Sequence, residues 1–205
     1  DPDAFFTLIF HNGVLVKQPE GALPDGVIIE PMKDAVKKGY PEVIEKLGVL
    51  VQHDQEFFSS LNAAFLHEGV FIKIAKNTIL EKPVQIMNVM SNGSIMVTPR
   101  SLMVAEPGSE AMIFETFYGN GDLQYFTNSA FEFFVAPNAT VKYVRVQHES
   151  RQAHHVSSVA VSQAPDSKFF SFNMNFGGSI VRNNITATFT GQNAETHLYG
   201  ASIVD

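Results

Sequence analysis

A chain of 205 residues with 45% hydrophobic content and a mean hydropathy of +0.03 suits one elongated soluble domain with an appendage, or two small domains. Its net charge of −7 argues against a general phosphate-binding surface, because non-specific nucleic-acid affinity depends on Lys and Arg neutralising phosphates. With no cysteine it can supply neither a disulfide framework nor a thiolate ligand, and no run approaches the roughly 18 apolar residues that read as a membrane span.

The first residues, Asp1-Pro2-Asp3, show neither a basic start nor an apolar signal region, so a cytoplasmic location is the default expectation. Residues 7–10 and 14–16 flank Asn12-Gly13 and predict a hairpin, since both turn positions need φ > 0. A loop over 19–26 leads to a short strand at 27–30. Residues 32–38 predict a helix closed by Gly39, and Pro41 opens a second that reaches Lys46 and stops before Gly48. Asp54 predicts an N-cap for a helix over 55–66, with Phe58, Leu61 and Phe65 on its apolar face. Strands follow at 70–74, 78–80 and 84–90, with a turn at Lys76-Asn77, and Asn92-Gly93 turns into 95–97. These features divide the chain into a mixed α/β region at 1–78 and a helix-free region at 79–205.

The second region is organised by a recurring phrase. Glu106-Pro107-Gly108-Ser109, Ala136-Pro137-Asn138-Ala139, Ala164-Pro165-Asp166-Ser167 and Gly191-Gln192-Asn193-Ala194 lie 27 to 30 positions apart. Pro presets φ, Gly tolerates φ > 0, and Asn or Asp can bond its own backbone, so each phrase is a turn. An apolar or β-branched run follows each, starting at Ala111, Val141, Phe169 and His197, and a second run lies about half a period later, at 125–135, 156–161 and 180–190. A period of this length with two strands per lap predicts a parallel β-helix or a related two-sheet solenoid. The spacing alone leaves an antiparallel sandwich open. Residues 185–190 alternate Ile, Ala and Phe with Thr, whereas 141–146 alternate poorly and leave their faces undefined.

Several polar groups are candidates for chemistry. His148-Glu149 with His154-His155 is the densest set of potential metal ligands, but its spacing does not match a helical H-E-x-x-H, so exposed turn histidines are expected. His53 beside Asp54 suits a cap, and His11 and His67 have no evident partner. Glu106, Glu110, Glu115 and Glu132 read as a solvated strand edge; only convergence on one groove would make them a glycosidase or lyase site. Gly177-Gly178 marks a tight corner, and Asn173, Asn175, Asn183 and Asn184 near it read as an amide ladder serving turn carbonyls. Phe126, Phe131, Phe133 and Phe134 read as core. No catalytic or metal-binding residue is assigned.

Leu61-Asn62-Ala63-Ala64-Phe65, Glu68-Gly69-Val70-Phe71-Ile72 and Glu81-Lys82-Pro83-Val84-Gln85-Ile86 resemble the entry into the core of the SufB/SufD family of iron–sulfur cluster assembly proteins. The resemblance continues through Pro99-Arg100-Ser101-Leu102-Met103-Val104, Asn128, Glu132, Ala139 and Gln147. It ends in 177–183 and 190–195. Glu81-Lys82-Pro83 and the missing cysteines look like the SufD branch. The resemblance implies a right-handed parallel β-helix and a non-enzymatic scaffold acting with a SufB-like paralogue and a SufC-like ATPase. The Fe–S cluster would be built by the wider complex, with no cofactor or ligand residue assigned here. It also implies that the chain is a truncated member, ending inside the solenoid, whose open end could self-associate. A carbohydrate-active β-helix enzyme and a structural adhesin are the rival readings.

Overall fold

A computed structural model describes residues 4–52, 56–66, 68–119 and 121–203. The chain opens with β1 (Phe6–His11), β2 (Val14–Lys17) and β3 (Val27–Pro31), followed by α1 (Met32–Lys38), α2 (Pro41–Lys46) and α3 (Phe57–Ala64). Strands β4 (Val70–Ile74), β5 (Val84–Met90), β6 (Met96–Val97) and β7 (Arg100–Ala105) come next. The repeat then supplies β8 (Glu110–Gly119), β9 (Phe126–Val135), β10 (Thr140–Glu149), β11 (His154–Gln163), β12 (Lys168–Gly177), β13 (Ile180–Phe189) and β14 (Glu195–Ile203).

The strands form two sheets. One runs β14-β12-β10-β8-β5-β1-β2 and the other β13-β11-β9-β7-β4-β3, with β6 on the edge of β9. Every contact between successive laps is parallel: Val141 lies over Ala111 and under Phe169, and Phe169 under Thr196. Only β1–β2 and β3–β4 are antiparallel. This is a two-sheet parallel β-solenoid, and the sandwich alternative is excluded. Both sheets continue across the 78/79 division, because β1 pairs with β5 and β4 with β7.

The recurring phrase is the hinge of each lap. Its third residue holds a positive φ in Gly108, Asn138, Asp166 and Asn193, and Asn77 one lap earlier does the same. Each of these amides except the last bonds the carbonyl of the next lap's second turn residue: Asn77 to Pro107, Gly108 to Pro137, Asn138 to Pro165 and Asp166 to Gln192, at 2.9–3.2 Å. Asn, Asp and Gly tolerate that conformation where a β-branched residue would not. The corner on the other side needs Gly177, at φ +79°, where an added Cβ would stand 2.4 Å from the Glu149 carbonyl oxygen.

Three expected elements differ. Residues 78–80 make a single bridge, Ile79 to Glu110, rather than a strand. The expected helix over 55–66 spans Phe57–Ala64, and the proposed caps His53 and Asp54 lie outside the described residues. That helix buries Ser59 and Asn62, while Phe65 is exposed, because the Asn62 amide reaches the carbonyls of Pro99 and Asn128. The core of the solenoid is apolar on the hinge side, where Phe131, Phe133, Tyr143 and Phe169 pack ring to ring. Phe126 and Phe134 lie on the other face of β9, half-buried, with Lys46 over the Phe134 ring.

Candidate functional site

Away from the hinge the interior turns polar. The inward positions of β10 read Val141, Tyr143, Arg145, Gln147, Glu149, all buried. Facing them are Glu115 on β8, Thr127 on β9, and His155 and Ser157 on β11, also buried. Buried charges persist only where they are paired and hydrogen-bonded, and here one network does this. The Glu149 carboxylate accepts from His155 Nδ1 at 2.6 Å, Thr127 at 2.8 Å and Gln147 at 3.2 Å. Arg145 Nη1 donates to the other imidazole nitrogen, Nε2, at 3.4 Å and to Ser157. Arg145 Nη2 donates to Asn175, at 3.1 Å, and to Asn183.

The bonding fixes the protonation pattern. An imidazole whose Nε2 accepts from a guanidinium must carry its proton on Nδ1, so His155 is neutral and donates to Glu149. Burial lowers its pKa below 6.5, and Arg145 adds to this; the nearby Glu149 opposes it without overcoming it. Burial works against the Glu149 carboxylate, but His155 and the hydrogen bonds from His155, Thr127 and Gln147 leave its pKa below 4.5. Burial raises the Glu115 pKa, against a hydrogen bond from Tyr143 and the charge of Arg145. The interior is thereby balanced between the Arg145 cation and the Glu149 anion, with Glu115 biased toward its neutral form.

This gives stability a definite pH dependence. The unfolded chain takes up a proton at His155 near pH 6.5 that the folded chain refuses. Stability present above that pH is therefore lost as the pH falls, by up to about 1.4 kcal/mol per unit. Glu149, with a lowered folded value, adds a further loss below about pH 4.5, whereas the raised Glu115 works in the opposite sense. Urea unfolding at pH 7.5, 6.5 and 5.5 is expected to show this slope, and His155→Gln to flatten it. An equal slope in both proteins would refute the assignment.

A second buried ion pair lies on the outer face of the β9 sheet. The Glu132 carboxylate accepts from the backbone amides of Gly48, Leu50 and Val51 at 2.8–3.0 Å and from Arg100 at 3.2 and 3.3 Å. Arg100 also donates to Asn62 at 3.2 Å, and Asn128 donates to the Phe58 carbonyl at 2.8 Å. The segment after α2, helix α3 and the solenoid wall are joined at this one carboxylate.

The expected solvated edge of carboxylates therefore holds only in part. Glu106 pairs with Lys73 at 3.0 Å and Glu110 with Lys142 at 3.0 Å, both near the hinge. Glu115 lies inside the solenoid and Glu132 on its outer wall, so the four do not converge. The expected exposed turn histidines also need correction: His148 is exposed, but His155 is buried because β11 turns it inward. Among the described residues no group of three His, Cys, Asp or Glu side chains could hold a metal ion. The Asn ladder is not formed either. Asn173 bonds Ser171, Asn175 and Asn183 bond Arg145 and each other, and Asn184 bonds Glu56, while backbone amides serve the turn carbonyls. His11 meets Ser91 at 2.7 Å, and His67 lies outside the described residues.

Arg145, Tyr143 and Thr127 were not singled out from sequence. The available signal was the poor alternation at 141–146, where polar residues point inward and apolar residues outward. No helix among the described residues is long and apolar enough to cross a membrane.

A parallel solenoid closed around a charge-balanced interior, with its helices fastened to one outer wall, is the architecture of a scaffold domain. Two family models cover nearly all of it: the SufBD protein N-terminal region over residues 5–86, and the SUF system FeS cluster assembly SufBD core domain over 88–205. The chain belongs to the SufBD family. It is 25% identical over 210 residues to an iron–sulfur cluster assembly SufBD family protein of Synechocystis, an alignment covering 96% of this chain and 46% of that protein. A chloroplastic SufBD family protein of Arabidopsis thaliana, ABCI8, is 33% identical over 131 residues, covering 60% of this chain and 22% of the relative. Chloroplastic protein ABCI7 of the same plant is 25% identical over 184 residues, covering 86% and 38%. The chain thus spans less than half the length of these relatives.

Proposed function

We propose that this chain is a non-enzymatic, SufD-like scaffold of iron–sulfur cluster assembly, acting with a SufB-like paralogue and a SufC-like ATPase. The observation that carries the reading is the pair of family models, which meet within β5 and together account for residues 5–205 with one gap position. Glu81-Lys82-Pro83 and the absence of cysteine support the SufD branch over the SufB branch. The buried chemistry also favours a scaffold: the carboxylates that could act as acids or bases serve internal ion pairs and hydrogen bonds. Cluster and iron are handled by the assembled complex in this reading, and the chain holds neither as a resident cofactor. The same reading keeps it in the cytoplasm and off nucleic acid and membrane.

Co-expression of the tagged chain with SufB-like and SufC-like subunits of its source tests this. Recovery of both in fixed proportion is expected. Recovery of neither, from a chain with native circular dichroism, would count decisively against the proposal.

A further inference from the structure

The two outer walls of the solenoid differ in a way that lap stacking alone does not require. All three helices pack on the sheet containing β3, β4, β7 and β9. The opposite wall, formed by β5, β8, β10, β12 and β14, carries no helix yet is the more apolar. Its outward positions include Phe114, Tyr118, Val146, Phe172, Met174 and Tyr199. Tyr118, Phe172, Met174 and Tyr199 are 37–51% exposed. The uncovered part of the other wall shows what an ordinary solvated strand looks like: outward positions of β13 carry Arg182, Asn184, Thr186 and Thr188. Charged groups on the apolar wall stand only at its hinge edge, where Lys142 meets Glu110 at 3.0 Å and Lys168 meets Glu195 at 3.2 Å. An uncharged centre with a charged, already neutralised rim is the anatomy of a protein interface.

The dimensions point to one occupant. Five strands spaced about 4.8 Å apart and about ten residues long at ~3.3 Å each present roughly 800 Å². That is roughly what each partner contributes to a stable interface of standard size. A flat wall of one chain matches the same flat wall of another, as an isologous dimer requires. We infer that this apolar wall is a self-association surface, on which a second copy of the chain stacks face to face. The open edges of β13 and β14 are not part of that contact.

Sedimentation velocity of the chain from 1 to 100 µM, with the double variant Tyr118→Glu/Met174→Glu, tests the inference. A concentration-dependent dimer is expected, weakened at least tenfold by the variant with unchanged circular dichroism. Because the chain has no cysteine, Met174→Cys carrying an environment-sensitive dye gives a reading that does not depend on the double variant folding. Its emission is expected to shift to the blue as the dimer forms. A wild-type chain that stays monomeric throughout, or a dimer that survives the double substitution while the dye stays wet, would overturn the inference.

Discussion

Arg145→Met is expected to cost about 3–5 kcal/mol of folding stability, the range for removing one partner of a buried charge pair. Arg145 is fully buried and is the cation facing Glu149 through His155. Methionine fills most of the space but offers no donors. The Glu149 carboxylate would then sit in the solenoid without its counter-charge, and Ser157, Asn175 and Asn183 would lose their shared donor. Adding Glu149→Gln to Arg145→Met should recover part of the loss, because it removes the charge left unpaired. Lys142→Met is the comparison, since its bond to Glu110 is exposed and such pairs contribute about 0–1 kcal/mol. Urea unfolding followed by circular dichroism measures all four proteins. A loss below about 1 kcal/mol for Arg145→Met would mean that water, not protein, solvates this interior.

Glu132→Ala acts on the other buried pair and is expected to act locally first. It leaves Arg100 buried without a carboxylate and the amides of Gly48, Leu50 and Val51 without an acceptor. The global cost is expected to be about 3–5 kcal/mol, again through an uncompensated buried charge. The more telling readout is amide exchange. Those three amides should exchange roughly a hundredfold faster or more, equivalent to about 3 kcal/mol of lost local protection. Strands β10 and β12, on the far sheet, should keep their relative protection. Uniform loss across the whole chain, with no excess at 48–51, would contradict the role given to Glu132.

The lap architecture was legible in the sequence for a physical reason. The hinge needs a left-handed residue once per lap, and few residue types tolerate it, so Gly108, Asn138, Asp166 and Asn193 stand out. Asn12-Gly13 and Gly39 were readable on the same grounds, with φ values of +50°, +80° and +69°. The same logic extends the repeat one lap back to Asn77, which sequence reading had as an isolated turn. What was not legible was the sign of burial. Outward-apolar, inward-polar strands invert the usual pattern, so Glu115, Glu132 and His155 looked like surface groups. Their partners lie 6 to 84 positions away, and local spacing carries no information about such pairings. The helix at 57–64 failed likewise: its buried face is set by two carbonyls of a distant loop and strand, which bind Asn62.

The account depends on an interior that holds one cation and one anion in balance and so forbids a second positive charge at His155. Imidazole nitrogen shifts from heteronuclear NMR on labelled protein test this most directly. At pH 6 they should show His155 neutral, with its proton on Nδ1 and Nε2 in the acceptor position, while exposed His148 is already partly protonated. A His155 signal that titrates together with His148, or that carries its proton on Nε2, would contradict the account.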